Sequence, residues 1–249
     1  HGVKRGLTAV EAAILMEQPL DKVLTMILFG VVKKDAAEVI TQDPLKVKPK
    51  SPQPEGLNEY EISFLQAFEL PSKAEQQRAL SAMTIGLIKS VSEKMKGFSR
   101  KETVEYYKGI MEKAWAAVEG ANTPEVKSEK YDENLEWTML DKDYDDRTRR
   151  TFTGPVFMPT WWGHYDPTYS TGRTISTSSS GKSLTSAGGG AKSLPGADFA
   201  ASVVTSVQTF SNKVIGNVGD FTSRVTNVTN PPPKPSSTGS RSGGRSGGG

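Results

Sequence analysis

The chain changes character near residue 150, and that change limits what it can fold into. Residues 1–150 are charged and near neutral, with 23 Lys and Arg against 25 acids, and they hold most of the apolar side chains. Residues 151–249 carry 8 basic residues against 3 acids and are rich in Ser, Thr, Gly and Pro. Only the first part is long and apolar enough to bury a sizeable core. The basic pI of 8.9 therefore reflects the tail, and the chain as a whole is too balanced for a dedicated nucleic-acid binder.

Local signals divide the first part further. Thr8-Ala-Val-Glu11 has the form of a capping box opening a helix, with Val10, Ala13 and Ile14 on one face and a stop near Pro19. A second helix is predicted from Leu20, burying Val23, Leu24, Ile27 and Leu28, with Gly30 as its stop. Two β-prone runs, 37–41 and 45–48, flank the turn cluster Gln42-Asp43-Pro44. Helix, helix, then hairpin is the order of a winged-helix core. A Pro-rich linker at 48–56 precedes helical segments at 58–69, 72–96 and, behind a second capping box Ser99-Arg-Lys-Glu102, from Arg100 to Gly120. A looser helical segment is read at 127–140.

The tail contains one strongly periodic feature. Phe199, Val203, Val207, Phe210, Val214, Val218, Phe221, Val225 and Val228 recur at steps averaging about 3.6, the helical period. Asp198 reads as the N-cap of a helix reaching residue 230. The intervening Ser, Thr, Asn and Gly are mediocre helix formers, so the helix is expected only against a partner: the body of this protein, another copy, another protein or a membrane surface. Upstream, the aromatic patch 154–169 has three prolines and cannot be one regular helix. Its Trp161 and Trp162 suit either a membrane interface or a latch onto the helical body. Residues 172–196 are Ser/Gly-rich and 231–249 form a Pro/Gly/Ser tail, both expected to be flexible.

Tests for chemistry mostly fail. With no cysteine, thiolate sites are excluded, and with histidine only at positions 1 and 164 a His-built metal site or a Ser-His-Asp triad has almost nothing to draw on. Ser179-Ser-Gly-Lys-Ser183 lacks the upstream glycine of a phosphate loop, and Gly188-Gly-Gly-Ala-Lys-Ser193 fails likewise. Asp141-Lys-Asp-Tyr-Asp-Asp146 resembles the start of a calcium loop, but Asp146 stands at the turn glycine and Phe152 at the final ligand. It reads instead as an acidic turn facing Arg147, Arg149 and Arg150. His164 is read as a packing or surface residue. No catalytic residue, cofactor or metal site is therefore expected.

A winged-helix reading invites a DNA hypothesis. The candidate recognition helix, Leu20–Phe29, offers only Asp21, Lys22 and Thr25 on its open face, although Lys33, Lys34, Lys46, Lys48 and Lys50 surround the wing. Nucleic acid is disfavoured as a partner, and a winged helix used for protein contacts fits better.

Leu7-Thr-Ala-Val-Glu-Ala-Ala-Ile-Leu15, Leu24-Thr-Met-Ile-Leu-Phe-Gly-Val-Val32, the hairpin after them and Leu57-Asn-Glu-Tyr-Glu-Ile-Ser-Phe-Leu65 together resemble a family of predicted bacterial membrane proteins of unknown function. The Gly-rich C-terminus is similar too. The resemblance covers roughly residues 7–120, with Ala13 where the family has Gly. It implies membrane association through helices upstream of this region, and it supplies no catalytic residues. The longest apolar run here, Val23 to Val32, is about half a membrane span. The start at His1 and the lack of a signal-peptide pattern read as a fragment or processed product.

The expected architecture is thus mainly α with a small β-wing. A winged-helix-like unit at 1–50 and a linker at 51–56 lead into a helical unit at 57–150, whose 57–120 part is also winged-helix-like. An extended arm at 151–197, a long amphipathic helix at 198–230 and a tail at 231–249 follow. The expected function is non-enzymatic: protein interaction or self-assembly, with the stripe from Phe199 to Val225, Trp161 and Trp162 as the contact residues.

Overall fold

The computed structural model describes residues 1–42, 44–167, 193–195, 207–208 and 214–229, and the fold is mainly helical. Its first helix, α1 (Ala9–Leu15), opens with the expected capping box: the Glu11 N–H donates to Thr8 Oγ1 at 3.1 Å, and the Thr8 N–H donates to Glu11 Oε1 at 3.0 Å. The second, α2 (Leu20–Lys33), runs one turn beyond the expected stop. Gly30 lies inside the helix, where a Cβ would make ordinary contact with Glu61 Oε2 at 3.4 Å. The chain leaves α2 through Asp35, whose φ of +61° is the left-handed turn that ends the helix.

Helix α2 is buried on nearly every side. Leu20, Val23, Leu24, Thr25, Met26, Ile27, Leu28, Phe29, Val31 and Val32 are all removed from solvent. A surface helix shows an apolar stripe, whereas one that is apolar all round belongs in a core. The hairpin β1 (Ala37–Gln42) and β2 (Leu45–Pro49) is antiparallel, with Val39 opposite Val47 and both turned inward. A register shift between Val39 and Thr41 leaves Ile40 unpaired and 43% exposed.

Residues 57–151 are helical throughout: α3 (Glu59–Phe68), α4 (Lys73–Lys94), α5 (Arg100–Glu119), α6 (Pro124–Glu133), α7 (Leu135–Thr138) and α8 (Tyr144–Thr151). The stretch 57–120 is three helices with no hairpin, so it does not repeat the order of residues 7–50. Nor do the two stretches keep separate cores. Their buried side chains form one continuous cluster, with α1 against α4 and α5, and α2 against α3. The N-terminal residues lie along α5, where Tyr107 Oη accepts from the Leu7 N–H and donates to the Lys4 carbonyl.

The arm begins with β3 (Pro155–Phe157), which pairs antiparallel with β4 (Ser193–Pro195), and continues into a single turn, α9 (Trp162–Tyr165). The last described element is α10 (Val218–Thr229), packed on α4 and α2. Apart from β4, the low-complexity segment lies outside the described residues, as do the Pro/Gly/Ser tail and the expected Asp198 cap. No helix among the described residues is long and apolar enough to cross a membrane.

Candidate functional site

The described part of the amphipathic stripe is a turn followed by a short helix. Gly216 has a φ of +75°, in the left-handed region that favours glycine. Asn217 then caps α10, its Oδ1 accepting from the Asp220 N–H at 3.0 Å. Val214 and Ile215 are buried before the turn, and Phe221 and Val225 are fully buried within the helix. Val207 is half-buried, and Val228 is 52% exposed. Phe199, Val203 and Phe210 lie outside the described residues, and Val218 is described only as the first residue of the helix. The contact stripe is therefore seated, over its described length, on the protein's own α4 and α2.

Trp161 and Trp162 belong to the interior. Phe29 of α2 sits among their rings at centroid distances of 5.9 and 6.0 Å, with the edge of Tyr165 at 4.9 Å. Trp161 Nε1 donates to Asp132 Oδ1 at 2.7 Å, so its one polar atom is satisfied. Of the two roles expected for these residues, the geometry matches the latch, joining the arm to α2 and α6. His164 stays exposed, 3.7 Å from Glu38 Oε2.

Sequence reading missed three polar clusters. Arg147 of α8 makes a two-pronged contact with Glu112 at 2.9 and 3.0 Å, and reaches Glu119 and Asp141 at 3.1 and 3.2 Å. Its guanidinium also lies over the Trp115 ring, 4.9 Å from the centroid. The Glu112 contact above all raises the Arg147 pKa. Tyr131, Tyr144 and Thr148 share hydroxyl hydrogen bonds in the interior, and burial pushes both phenols well above their usual range. Glu11 and Glu61 both complete N-terminal caps, both are 3% exposed, and each is paired with a half-exposed lysine, Lys94 and Lys34 respectively. The Tyr60 hydroxyl donates to Thr8 Oγ1 at 3.0 Å, linking the two caps. The sequence cues for these clusters were the Thr8–Glu11 capping box and the acidic turn facing the arginines. The rest comes from pairs 27 to 83 residues apart, or from aromatic residues inside amphipathic faces.

The charges of the Arg147 and glutamate clusters are paired with one another, and no group of three His, Cys, Asp or Glu residues among the described ones is placed to hold a metal ion. The face proposed for DNA reading is also occupied. Thr25 is fully buried, and Lys22 Nζ donates to the Asp141 carbonyl at 3.0 Å and to Gln18 Oε1 at 3.1 Å. Lys33 and Lys34 are engaged with Asp132, Glu136 and Glu61, whereas Lys46 and Lys48 remain exposed.

Burial lowers the Lys22 pKa to about 8 despite the attraction of Asp141 and Asp21. The folded state thus gives up this proton near pH 8, while the unfolded chain keeps it to about 10.5. Between those values the unfolded state binds more protons, so this lysine makes stability rise with pH. Urea midpoints measured from pH 7.5 to 9.5, below the range in which the raised tyrosines ionise in the unfolded chain, should show an alkaline gain that is absent in Lys22→Met. An unchanged slope in that variant would assign the gain elsewhere.

Comparison with protein-family models, characterised proteins and solved structures gives no significant match.

Proposed function

We propose that the chain is a non-enzymatic protein-interaction or self-assembly module that works by seating an amphipathic helix in a groove. The observation that carries this reading is the seat itself. Helix α10 has poor intrinsic propensity, yet two of its side chains are fully buried on α4 and α2. The body therefore presents a surface complementary to this stripe. The same pair of surfaces that closes within one chain can join two copies when the helix of one occupies the seat of the next. The upstream half of the stripe, Phe199 to Phe210, would extend that contact. In the winged-helix-like unit at 7–50, α2 lies inside the core, which favours protein contacts at its periphery over insertion into a DNA groove. An association with the bacterial envelope follows from the family resemblance.

Light scattering after size-exclusion chromatography tests the reading. A cut after residue 150 would remove the Trp161–Trp162 latch, so the comparison is between the full chain and residues 1–167. Larger assemblies of the full chain, with a monomeric truncation, are the expected result. A full chain that remains monomeric across a wide concentration range, and yields no partner contact that depends on Phe221, would overturn it.

A further inference from the structure

An apolar groove of about 700 Å³ runs beside α10, between the end of α1, the start of α2 and the second half of α4. Its floor is made of Ile14, Leu20, Ile88, Val91 and Met95, and Phe98, 41% exposed, stands at one end. Its α10 wall reads as polar in sequence, with Thr222, Thr226 and Thr229. Two of those hydroxyls are already committed. Thr226 Oγ1 donates to the Thr222 carbonyl at 2.9 Å, and Thr229 Oγ1 donates to the Val225 carbonyl at 3.2 Å. Having given their protons to the helix, they have little to donate to a polar ligand. The volume lies in the usual range for small-molecule sites, and the lining is suited to hydrocarbon.

The mouth differs in character. The charged residues lining the groove are Glu17 and Arg100, joined at 3.2 Å and both well exposed, at 77% and 59%. Arg100 Nη2 is also held by the Leu15 carbonyl at 3.1 Å, which fixes the guanidinium at the groove edge. A second cation, Lys4, sits 5.3 Å from the centre of the Phe98 ring. Glu17 is a weak, solvent-screened partner, which an incoming carboxylate can replace. Two other grooves of similar volume among the described residues are lined differently: one by the Arg147 cluster with its glutamates and aspartates, the other by Met83 and Leu87 together with the paired Glu11 and Lys94.

We infer that this groove binds a single-chain anionic amphiphile of the fatty-acid type, its hydrocarbon chain on Ile88, Val91 and Met95 and its carboxylate at Arg100. The inference does not depend on exchange of α10 between copies. It needs only the seated helix as a wall.

Calorimetry on the full chain with decanoate, dodecanoate, dodecan-1-ol and dodecyltrimethylammonium, all below their aggregation concentrations, decides it. One saturable site is expected, tightening about fourfold per added methylene, the change expected from burying that group. The quaternary ammonium should bind more weakly than the carboxylate. Arg100→Gln should weaken dodecanoate about fivefold and leave the alcohol unchanged. Thr226→Trp, at an exposed position on the groove wall, should reduce dodecanoate binding by about tenfold or more by filling the space, with circular dichroism confirming an intact fold. Binding that never saturates, ignores the head group, or survives Thr226→Trp unchanged would overturn the inference. So would a dimer that covers Phe98 while taking up no carboxylate. Because calorimetry reads this site and light scattering reads assembly, failure of one proposal leaves the other standing.

Discussion

A chain carrying Phe221→Ser together with Val225→Ser is expected to release α10 while the body stays folded. Both side chains are fully buried, and each contributes roughly 1.5–3 kcal/mol of burial. Against that stands a twelve-residue helix of Val, Gly, Thr, Ser and Asn, which is too short and too poor in helix formers to persist alone. Removing both anchors leaves Val214 and Ile215, which lie before the Gly216 turn, to hold the element. Amide exchange over residues 218–229 should rise towards that of an unstructured segment, with little change in the protection of α2 and α5. Assemblies of the full chain should dissociate in parallel. Continued protection of 218–229 in the double variant would mean that α10 is an integral part of the core rather than a seated element.

Phe29→Ala should be the most damaging single substitution, costing about 3–5 kcal/mol. Phe29 is fully buried and touches Trp161, Trp162 and Tyr165 at once. A cavity there cannot be filled by small movements, because the surrounding rings are held by other elements. A loss of that size is a large fraction of the stability of an ordinary domain. The readout is a lowered urea midpoint with a red shift of tryptophan emission, as Trp161 and Trp162 gain access to water. Phe98→Ala, at an exposed ring, is the control and should change stability by no more than about 0.5 kcal/mol. If the two variants behave alike, the latch does not join the arm to the body as described.

Both predictions rest on contacts that were only half legible in the sequence. The helices themselves were readable because their signals are local. Thr8 and Glu11 are three residues apart and close a full capping box, whereas of the Ser99–Glu102 pair only the Ser99 hydroxyl cap forms, the Ser99 N–H donating instead to the Gly2 carbonyl at 2.8 Å. The apolar periods of α3, α4 and α5 and the hairpin around residues 42–44 are local in the same sense. The register of Val39 against Val47 followed from which face had to be buried. Gly30 misled because a glycine near the end of a helical pattern ordinarily marks a stop, whereas here the helix continues to Lys33 and the left-handed turn falls at Asp35.

What the amino-acid sequence determined by itself, then, were the helices and hairpin of residues 9–119 and the period of the stripe, since these depend on residues within a turn or two of each other. It also ruled out thiol chemistry, because cysteine is missing. Only the tertiary structure decided that α2 is a central helix, that residues 7–50 and 57–151 share one core, and that the tryptophan pair faces inward. It also decided that α10 lies on α4 beside an apolar groove. A period of 3.6 says that one face of a helix must be covered, but it carries no information about what covers it. That choice depends on surfaces brought together from more than a hundred residues away, and they exist only once the body has folded.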